Sequence, residues 1–495
     1  MKLIEMLLTA IVLALSCVIK GASPGDAPQL PILGTRIVNV ATEAQLQTAM
    51  GNLQTGDTLL LADGTYNLTS SLYINSRNSV TIRGTTGSTN VVLAGKGMDN
   101  SNHGGVPFGI WSNSRDTTIA HLTIRDTWDN EVIFNPGAQS PRIYCVRLLN
   151  AGSQFIKSNP TDVNAGIGVN NGVVEYCWFE YTRNPPADHG AGVGYFNGIS
   201  AHAADNWIIR GNLFKNLHNP DGTAYSWNPS VLFWRNSSNT VTEQNIFINV
   251  DRAVAYGLDN SVPYRDHSGG VVRNNFVYLA PGFLSAARKT SSDGSIIVWN
   301  SPGTQVDHNT LLLNNNEFYA VEFRFPTTAS ATARNNLTDA PIHLRDNATA
   351  TISGNVVNAT LQLFVNPPAG DLHLLPTATN AINKAAPLNT VTNDFDSEPR
   401  PAGGTSSETA PDIGADEFSL TEPPRILDFE LSGADALLRF TAAANLFYSI
   451  DRTEDLNTSW TTIASNLIST GSTLDFTDLA AVPPAHRFYR IRQSQ

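Results

Sequence analysis

The 495-residue sequence is poor in charge and in cysteine, and it has no long apolar run beyond its N-terminal segment. Charged residues make up 15%, below the usual quarter, and Lys and Arg form no long run. With a net charge of −12, this composition argues against a nucleic-acid ligand. Three cysteines without a CxxC pair exclude a zinc site. The lack of a later apolar stretch excludes a transmembrane helix.

The first 23 residues have the pattern of a targeting segment. Lys2 precedes an apolar run over residues 6–19, and small residues follow at 21–23. This order predicts a secretory signal peptide, which is left out of the folded domain. We therefore expect a secreted, periplasmic or cell-surface protein of a bacterium.

A short phrase recurs between residues 197 and 355, in which β-prone residues and a small polar turn precede an Asn. The spacing of these Asn residues falls unevenly from 33 to 19, which predicts stacked coils with loops of variable length. The copies alternate and are rich in Val, Ile and Thr, so they indicate strands. We expect the repeated amides to stack at a bend and to satisfy one another. They are Asn212, Asn245, Asn275, Asn309, Asn336 and Asn355.

An amphipathic segment over residues 41–50 precedes the first strand, with Leu46 and Met50 at helical spacing. Such a helix would cap the open end of a β-stack. The run from Thr42 to Tyr66, together with the coil phrase, resembles right-handed parallel β-helix proteins. These include polysaccharide lyases of the alginate lyase and chondroitinase B type. The resemblance covers roughly residues 40–375 and implies an all-β, right-handed parallel β-helix solenoid.

The chain changes character after the coils. Residues 361–424 contain DLHLLP, DFDSEPRP and APDIGADEF, which resemble the closing segment of many secreted bacterial β-helix proteins. From residue 425, six short alternating segments predict a small antiparallel β-sandwich. We expect a signal peptide at 1–23, the β-helix domain at 24–402, a linker at 403–424 and the sandwich at 425–495. We also expect a monomer.

Two cysteines follow the signal segment, Cys145 and Cys177, and both come directly after a Tyr. Their separation of 32 residues is close to the coil period. We expect them in one column on adjacent coils, either as two buried thiols or as a disulfide.

Counting back from each repeated Asn separates two faces, because neighbouring strand residues point to opposite sides. The residues eleven positions back are expected to point inward: Ala201, Trp234, Val298 and Leu344. The residues ten positions back are expected to point outward: His202, Arg235, Trp299 and Arg345. Arg324 joins them from the coil before Asn336. Guanidinium groups suit carboxylates, and a Trp face suits a sugar ring, so this strip favours an acidic polysaccharide.

The resemblance to lyases implies β-elimination from a uronate. That reaction needs a cation on the carboxylate, a base at the C5 proton and an acid at the leaving oxygen. The candidate catalytic residues are Lys157 or His202 as base, Arg235 with Arg252 at the carboxylate, and Tyr256 or His267 as proton donor. The candidate substrate-binding residues are Arg252, Trp299, Arg324, Arg345 and His189, the last in a Gly/Pro loop.

Three alternatives stay open at this point. A glycoside hydrolase would need two carboxylates on one face of the coils. The candidates are Asp188, Asp251, Asp266, Asp293 and Glu322, and no two of them stand out as a pair on one face. A glycan-binding or adhesion protein would need no catalytic set, and a C5-epimerase would use the same proton abstraction. Lyases of the resembled type pair Lys and Arg with Ca²⁺ held by acidic and Asn residues. That ligand set has no residue-by-residue match here, so Ca²⁺ is a possible cofactor only through the resemblance.

Overall fold

A computed structural model describes residues 27, 30–32, 34–186, 195–401, 410–418, 424–432, 435–442, 447–454, 460–471, 473–479 and 487–494. These residues form two compact units. The first comprises the described residues up to Leu361 together with Asn366–Leu372 and Asn380–Glu417. The second comprises Gln362–Val365, His373–Thr379 and the described part of Phe418–Gln495. Within the described ranges, no helix is both long and apolar enough to cross a membrane.

The first unit is a parallel β-helix, in which successive coils add strands to three parallel sheets. Sheet A contains β1 (Arg36–Val40), β2 (Asp57–Leu61), β5 (Thr81–Gly84), β8 (Thr118–Ala120), β11 (Arg142–Tyr144), β14 (Val173–Glu175), β17 (Ile208–Arg210), β21 (Val241–Glu243), β25 (Val271–Arg273), β28 (Gln305–Asp307), β31 (Ala331–Arg334) and β34 (Ala350–Ser353). Sheet B contains β3 (Gly64–Asn67), β6 (Val91–Ala94), β9 (Thr123–Arg125), β12 (Arg147–Leu149), β15 (Trp178–Glu180), β18 (Leu213–Lys215), β22 (Ile246–Ile248), β26 (Phe276–Tyr278), β29 (Thr310–Leu312) and β32 (Leu337–Thr338). Sheet C contains β4 (Leu72–Ile74), β7 (Ile110–Ser112), β10 (Val132–Phe134), β13 (Ile156–Ser158), β16 (Ile199–His202), β19 (Pro229–Trp234), β23 (Arg252–Tyr256), β27 (Ile296–Trp299), β30 (Val321–Arg324) and β33 (Ile342–Arg345).

Short elements complete the chain outside these three sheets. Two pairs of strands form small sheets: β20 (Ser237–Ser238) with β24 (His267–Ser268), and β35 (Phe364–Asn366) with β36 (Asp371–Leu374). The helices are α1 (Glu43–Gly51), α2 (Ala286–Ser291) and the 3-10 turns Leu361–Leu363 and Pro367–Ala369.

Helix α1 has the position that the sequence predicts for a cap. The Thr42 hydroxyl accepts from the Gln45 N–H, and the Gln45 side chain accepts from the Ala41 N–H, so two end groups of the helix are satisfied. Leu46 is fully buried in the same core as the first coils. The helix therefore covers apolar surface at the start of the stack.

The bend between sheets A and B explains how the sequence-based strands differ from the observed ones. The segments 118–125, 142–149 and 172–181 each have the β-prone sequence of a single strand, but each forms two strands with two residues between them. The first of these two residues is left-handed: His121 (φ 54°), Cys145 (φ 56°) and Tyr176 (φ 56°). A positive φ breaks the alternation of side chains and turns the chain through a corner. The residue after the corner points back into the interior.

The repeated Asn residues occupy this interior position, and the predicted amide ladder is confirmed. The Nδ2 of Asn212 donates to Oδ1 of Asn245 at 2.9 Å, and each later Asn donates to the next as far as Asn355 at 2.9–3.0 Å. Because both amide atoms are buried, removal of one member leaves neighbours unsatisfied at a cost of about 1–3 kcal/mol each.

The two cysteines do not share a column, contrary to the sequence-based expectation. Cys145 is the left-handed corner residue of its coil, whereas Cys177 takes the interior position at the start of the Asn ladder. The Cys177 N–H donates to Asn212 Oδ1 at 2.8 Å. Neither cysteine forms a disulfide, and both side chains are buried.

Stacked apolar side chains fill the interior between the three sheets. Phe179, Phe214 and Phe247 stack from coil to coil with ring centroids 4.5 and 4.9 Å apart. Each fully buried side chain of this size contributes about 1.5–3 kcal/mol. The described part of residues 380–417 also belongs to this unit: Ala415 donates its N–H to Thr310, and Arg400 pairs with Glu417. Part of the predicted linker therefore packs on the β-helix.

The second unit is the predicted antiparallel β-sandwich. One sheet contains β37 (Ile426–Ser432), β38 (Asp435–Thr441) and β41 (Thr473–Asp478), and the other β40 (Thr461–Ile468), β39 (Phe447–Thr453) and β42 (Phe488–Ser494). Phe440, Tyr448 and Ile450 are buried together in its core.

Candidate functional site

Sheet C places the predicted base candidates side by side on the outer surface. Lys157 in the middle of β13 pairs with Ser200 of β16, and its neighbours Ile156 and Ser158 point inward. The Lys157 Nζ lies 3.1 Å from Ser200 Oγ and 3.1 Å from His202 Nε2. The structure thus joins two residues that lie 45 positions apart in the sequence.

Lys157 is an amine held in unusually dry surroundings. Its side chain is buried although it points away from the core, with 9% of its surface exposed. Burial and, to a lesser extent, the nearby Arg235 guanidinium lower its pKa to about 7, while Asp129 acts in the opposite direction. In the described part of the chain, Lys157 forms no ion pair. Near neutral pH, a large fraction of this amine is therefore unprotonated and able to accept a proton.

His202 is neutral in the same surroundings. Burial and, to a lesser extent, the charges of Lys157 and Arg235 together lower its pKa to about 2. Its ring meets the Trp234 ring edge-on, with centroids 5.0 Å apart. Because this imidazole is neutral, it carries no positive charge that would draw an anionic substrate group away from the neighbouring cations.

Arg235 reaches this cluster by a different route from the predicted one. Trp234 pairs with His202 and holds the outward position, so its predicted inward orientation is wrong. Arg235 follows at φ 52°, and its guanidinium lies 4.7 Å from the Trp234 ring. Counting back from the repeated Asn gave the wrong orientation here, because the segment from Trp234 to Asn245 is one residue longer than the segment from His202 to Asn212. The guanidinium nevertheless acts on the pKa of both His202 and Lys157.

The structure adds a residue that the sequence analysis missed, Tyr195. Its hydroxyl lies 3.4 Å from Ser200 Oγ, and Lys157 Nζ lies 5.8 Å from its ring centroid. Burial raises the Tyr195 pKa, so the phenol keeps its proton at neutral pH. Its position between a Gly/Pro-rich loop and strand β16 was the available signal. His189, predicted to bind substrate from that loop, lies outside the described residues.

The predicted proton donors Tyr256 and His267 are corrected by their burial. Both side chains are 0% exposed and stack on each other in the interior, with centroids 4.3 Å apart. The Tyr256 hydroxyl meets Thr242, and the His267 ring lies between Thr240 and Ser301. Neither side chain can reach a polymer outside the stack. The insertion over residues 257–266 removed the spacing that would have shown this.

The other predicted cations lie farther along sheet C, and carboxylates already pair with them. The pairs are Arg252 with Asp293, Arg324 with Asp346, and Arg345 with both Asp293 and Glu322. Trp299 is 8% exposed and donates its indole N–H to Glu322 at 3.0 Å. These side chains form a charge-balanced network rather than free anion-binding groups, which corrects their predicted role.

The carboxylates beside Arg235 do not fit a Ca²⁺ site. Both oxygens of Asp266 accept backbone N–H groups, from Arg235 at 2.7 Å and from Leu258 and Asp259 at 2.6 and 2.8 Å. Asp259 in turn accepts from the Ser261 N–H and hydroxyl. Calcium prefers several uncommitted carboxylate and carbonyl oxygens. Among the described residues near Arg235, these oxygens are already used, so we derive no step through a metal ion.

Comparisons with known proteins find only weak likenesses among solved structures. The chain matches no protein-family model and no curated protein sequence. Similar solved structures include an alginate lyase from Paenibacillus sp. strain FPU-7 (18% identity, 66% of this chain and 100% of that chain, TM-score 0.43). They also include the pectate lyase Pel9A (12% identity, 78% and 97%, TM-score 0.40) and PfbA, a surface adhesin of Streptococcus pneumoniae (12% identity, 64% and 87%, TM-score 0.37). These likenesses are weak, and the fold assignment rests on the strand pairing itself.

Proposed function

We propose that this protein is a polysaccharide lyase that cleaves a uronate-containing polymer by β-elimination at Lys157, His202, Arg235 and Tyr195. The observation that carries the proposal is the buried Lys157 amine on the outer face of sheet C, which has no ion pair among the described residues and lies 3.1 Å from a neutral His202. An amine with a pKa of about 7 is matched to proton abstraction at neutral pH. In this proposal the protein acts outside the cytoplasm.

Each step of the elimination has a group to perform it. Arg235 binds the uronate carboxylate and stabilises the negative charge that develops on it. The Lys157 amine takes the C5 proton, and the C5–H electrons form the C4–C5 double bond. The C4–oxygen bond breaks, and the leaving oxygen takes the proton of the Tyr195 hydroxyl. The products are an unsaturated uronate and a new chain end, with Lys157 protonated and Tyr195 ionised.

Ser200 gives the site a route back to its starting state. Its hydroxyl lies 3.1 Å from Lys157 Nζ and 3.4 Å from the Tyr195 oxygen. It can accept a proton from the Lys157 ammonium while it donates its own to the Tyr195 phenolate. The net transfer restores the neutral amine and the phenol.

The glycoside hydrolase alternative receives less support from the geometry. Asp251, Asp266 and Glu322 are 0% exposed, and Asp293 is held by two arginines. A hydrolase needs two carboxylates that face the glycosidic bond from opposite sides. The described candidates are buried or paired, whereas Asp188 lies in the part of the chain that the structure does not describe.

The test is incubation with alginate, polygalacturonate and chondroitin sulfate, with ultraviolet absorbance as the measure of unsaturated uronate. We expect absorbance to grow with at least one polymer, with and without a chelator, and to fall about 100-fold in Arg235→Gln. Lys289→Ala is the matched control, since Lys289 contacts Asn315 and Phe318 at the other end of sheet C. New reducing ends without absorbance would show a hydrolase. Retention on a glycan column with neither signal would show a binding protein, and a changed uronate configuration without cleavage would show an epimerase.

A further inference from the structure

Two aromatic side chains continue the Lys157 column toward the N-terminal end of sheet C. Lys157 pairs with Ile133 of β10, Ile133 with Trp111 of β7, and Trp111 with Tyr73 of β4. All four occupy the outward phase of their strands, because the residues on either side are buried in the interior. Lys157 and the two rings therefore lie in one outward column of sheet C, with the buried Ile133 between Lys157 and Trp111.

The two rings are accessible and close together. Tyr73 is 46% exposed, and Trp111 is partly exposed beside it. Their centroids lie 5.9 Å apart with a tilt of 50°. Tyr and Trp with one open face offer a flat apolar surface with a polar edge, which matches the mixed character of a sugar ring.

A second outward line of amides runs alongside these rings. It consists of the residues just after the strands of sheet C: Asn75, Asn113, Asn135 and Asn159. Asn113 donates to Asn75 and Asn159 donates to Asn135, both at 3.0 Å. The Nδ2 of Asn135 has no hydrogen-bond partner among the described residues. That Nδ2 is buried, whereas the exposed Asn75 and the partly exposed Asn113 and Asn159 offer amide groups suited to hydroxyls next to the aromatic line.

The opposite direction along the sheet is closed. Beyond Ser200 the same column contains Leu232, Ala255 and Ile297, which are outward but 0% exposed. On the N-terminal side of Lys157, Ile133 is 7% exposed, and beyond it the column becomes accessible at Trp111 and Tyr73 among the described residues. Two strand spacings, about 10 Å, separate Lys157 from Trp111.

We propose that Tyr73 and Trp111, flanked by the Asn line, form a glycan-binding subsite for the same acidic polymer, on the N-terminal side of the Lys157 site. The inference rests on the proposed function for its substrate class. In this subsite a sugar ring stacks on Trp111 and a further ring on Tyr73, while the amides bind their hydroxyls.

The test is affinity electrophoresis of the full chain through gels that contain alginate, polygalacturonate or chondroitin sulfate. We expect retardation by at least one polymer, and a dissociation constant about tenfold higher in Trp111→Ala. Trp111→Phe keeps a ring and is expected to bind almost as the wild type does, which separates lost stacking from misfolding. Trp178→Ala is the matched control, because Trp178 is a partly exposed Trp on sheet B, covered by Arg147.

The outcomes separate this subsite from the proposed chemistry. Retardation that Trp111→Ala weakens supports the subsite whether or not unsaturated product forms, and a lack of product then contradicts only the lyase. Equal retardation of the wild type and Trp111→Ala overturns the subsite. A wild type that none of the three polymers retards overturns it as well, as does equal weakening by Trp178→Ala.

Discussion

The two halves of the outer face of sheet C differ in how their charges are balanced. In the half from β4 to Arg235, which directly follows β19, Lys157 is buried without an ion pair among the described residues and lies next to a neutral His202. In the half from β23 to β33, Arg252 and Arg345 share the carboxylate of Asp293. Basic side chains on one sheet are thus paired with carboxylates in one half, whereas Lys157 in the other half has no such partner among the described residues.

This difference shows that a basic residue type and an outward orientation are not enough to identify a functional site. A paired guanidinium has already gained most of the energy that an anionic ligand could offer, and its partner would repel that ligand. An amine held in dry surroundings without a partner gains from an incoming carboxylate and from loss of its proton. Under the proposed function, the chemistry therefore belongs to the unpaired half, whereas the ion pairs of the other half connect adjacent coils.

The largest effect is expected from Lys157→Met. This change removes the proposed base but keeps a long side chain in the same space, so product formation should fall by about 10² to 10⁴-fold. Initial rates of absorbance increase give the measurement, and circular dichroism checks the fold. Substantial activity in this variant would mean that the difference between the two halves has no catalytic meaning.

A pair of arginine variants tests both halves at once. Arg345→Ala leaves Glu322 and Asp293 with less compensation and should lower the free energy of unfolding by about 1–3 kcal/mol, with turnover kept. Arg235→Gln should show the reverse, with lost turnover and a small change in stability. Urea denaturation and turnover of both variants give the measurement. If Arg345→Ala lost turnover without losing stability, the paired half would have to contribute to the active site despite its ion pairs.

The sequence predicts the solenoid well, because the Asn phrase records a physical requirement. A buried amide at a corner needs another amide above and below it, so the repeat itself implies stacked coils. The repeated Asn begins only at Asn212, however. In the earlier coils, the same interior position is occupied by Leu122, Val146 and Cys177. Tyr73 and Trp111 lie in those coils, and no reference residue was available to reveal their phase.

The state of each charge could not be predicted from the sequence. Arg252 and Arg345 share one partner, Asp293, which lies 41 residues after the first and 52 residues before the second. The sequence pointed to Lys157, His202 and Arg235 because basic residues are rare in this chain and these three were expected on or near one outward face. Their burial, and the contact of Ser200 with Tyr195, depend on how neighbouring coils and loops pack.

The pH dependence of turnover should report the unpaired half. Protonated Lys157 has no lone pair to accept the C5 proton, so kcat/KM should fall about tenfold per pH unit below pH 7 and level off above it. Because the Arg235 charge lowers the pKa of Lys157, the residual activity of Arg235→Gln should need a higher pH. A wild-type profile that is flat between pH 5 and 8 would contradict Lys157 as the base.

The smallest effect is expected from Arg324→Ala in the paired half. Arg324 forms its ion pair with Asp346, whose side chain is 45% exposed, and water screens such a pair strongly. Neither the melting temperature nor the turnover should change measurably, and added salt should make no difference. Thermal unfolding monitored by circular dichroism, together with the absorbance assay, checks both. If turnover fell while the melting temperature stayed constant, Arg324 would have to bind substrate despite its partner, and pairing would no longer separate the two halves of sheet C.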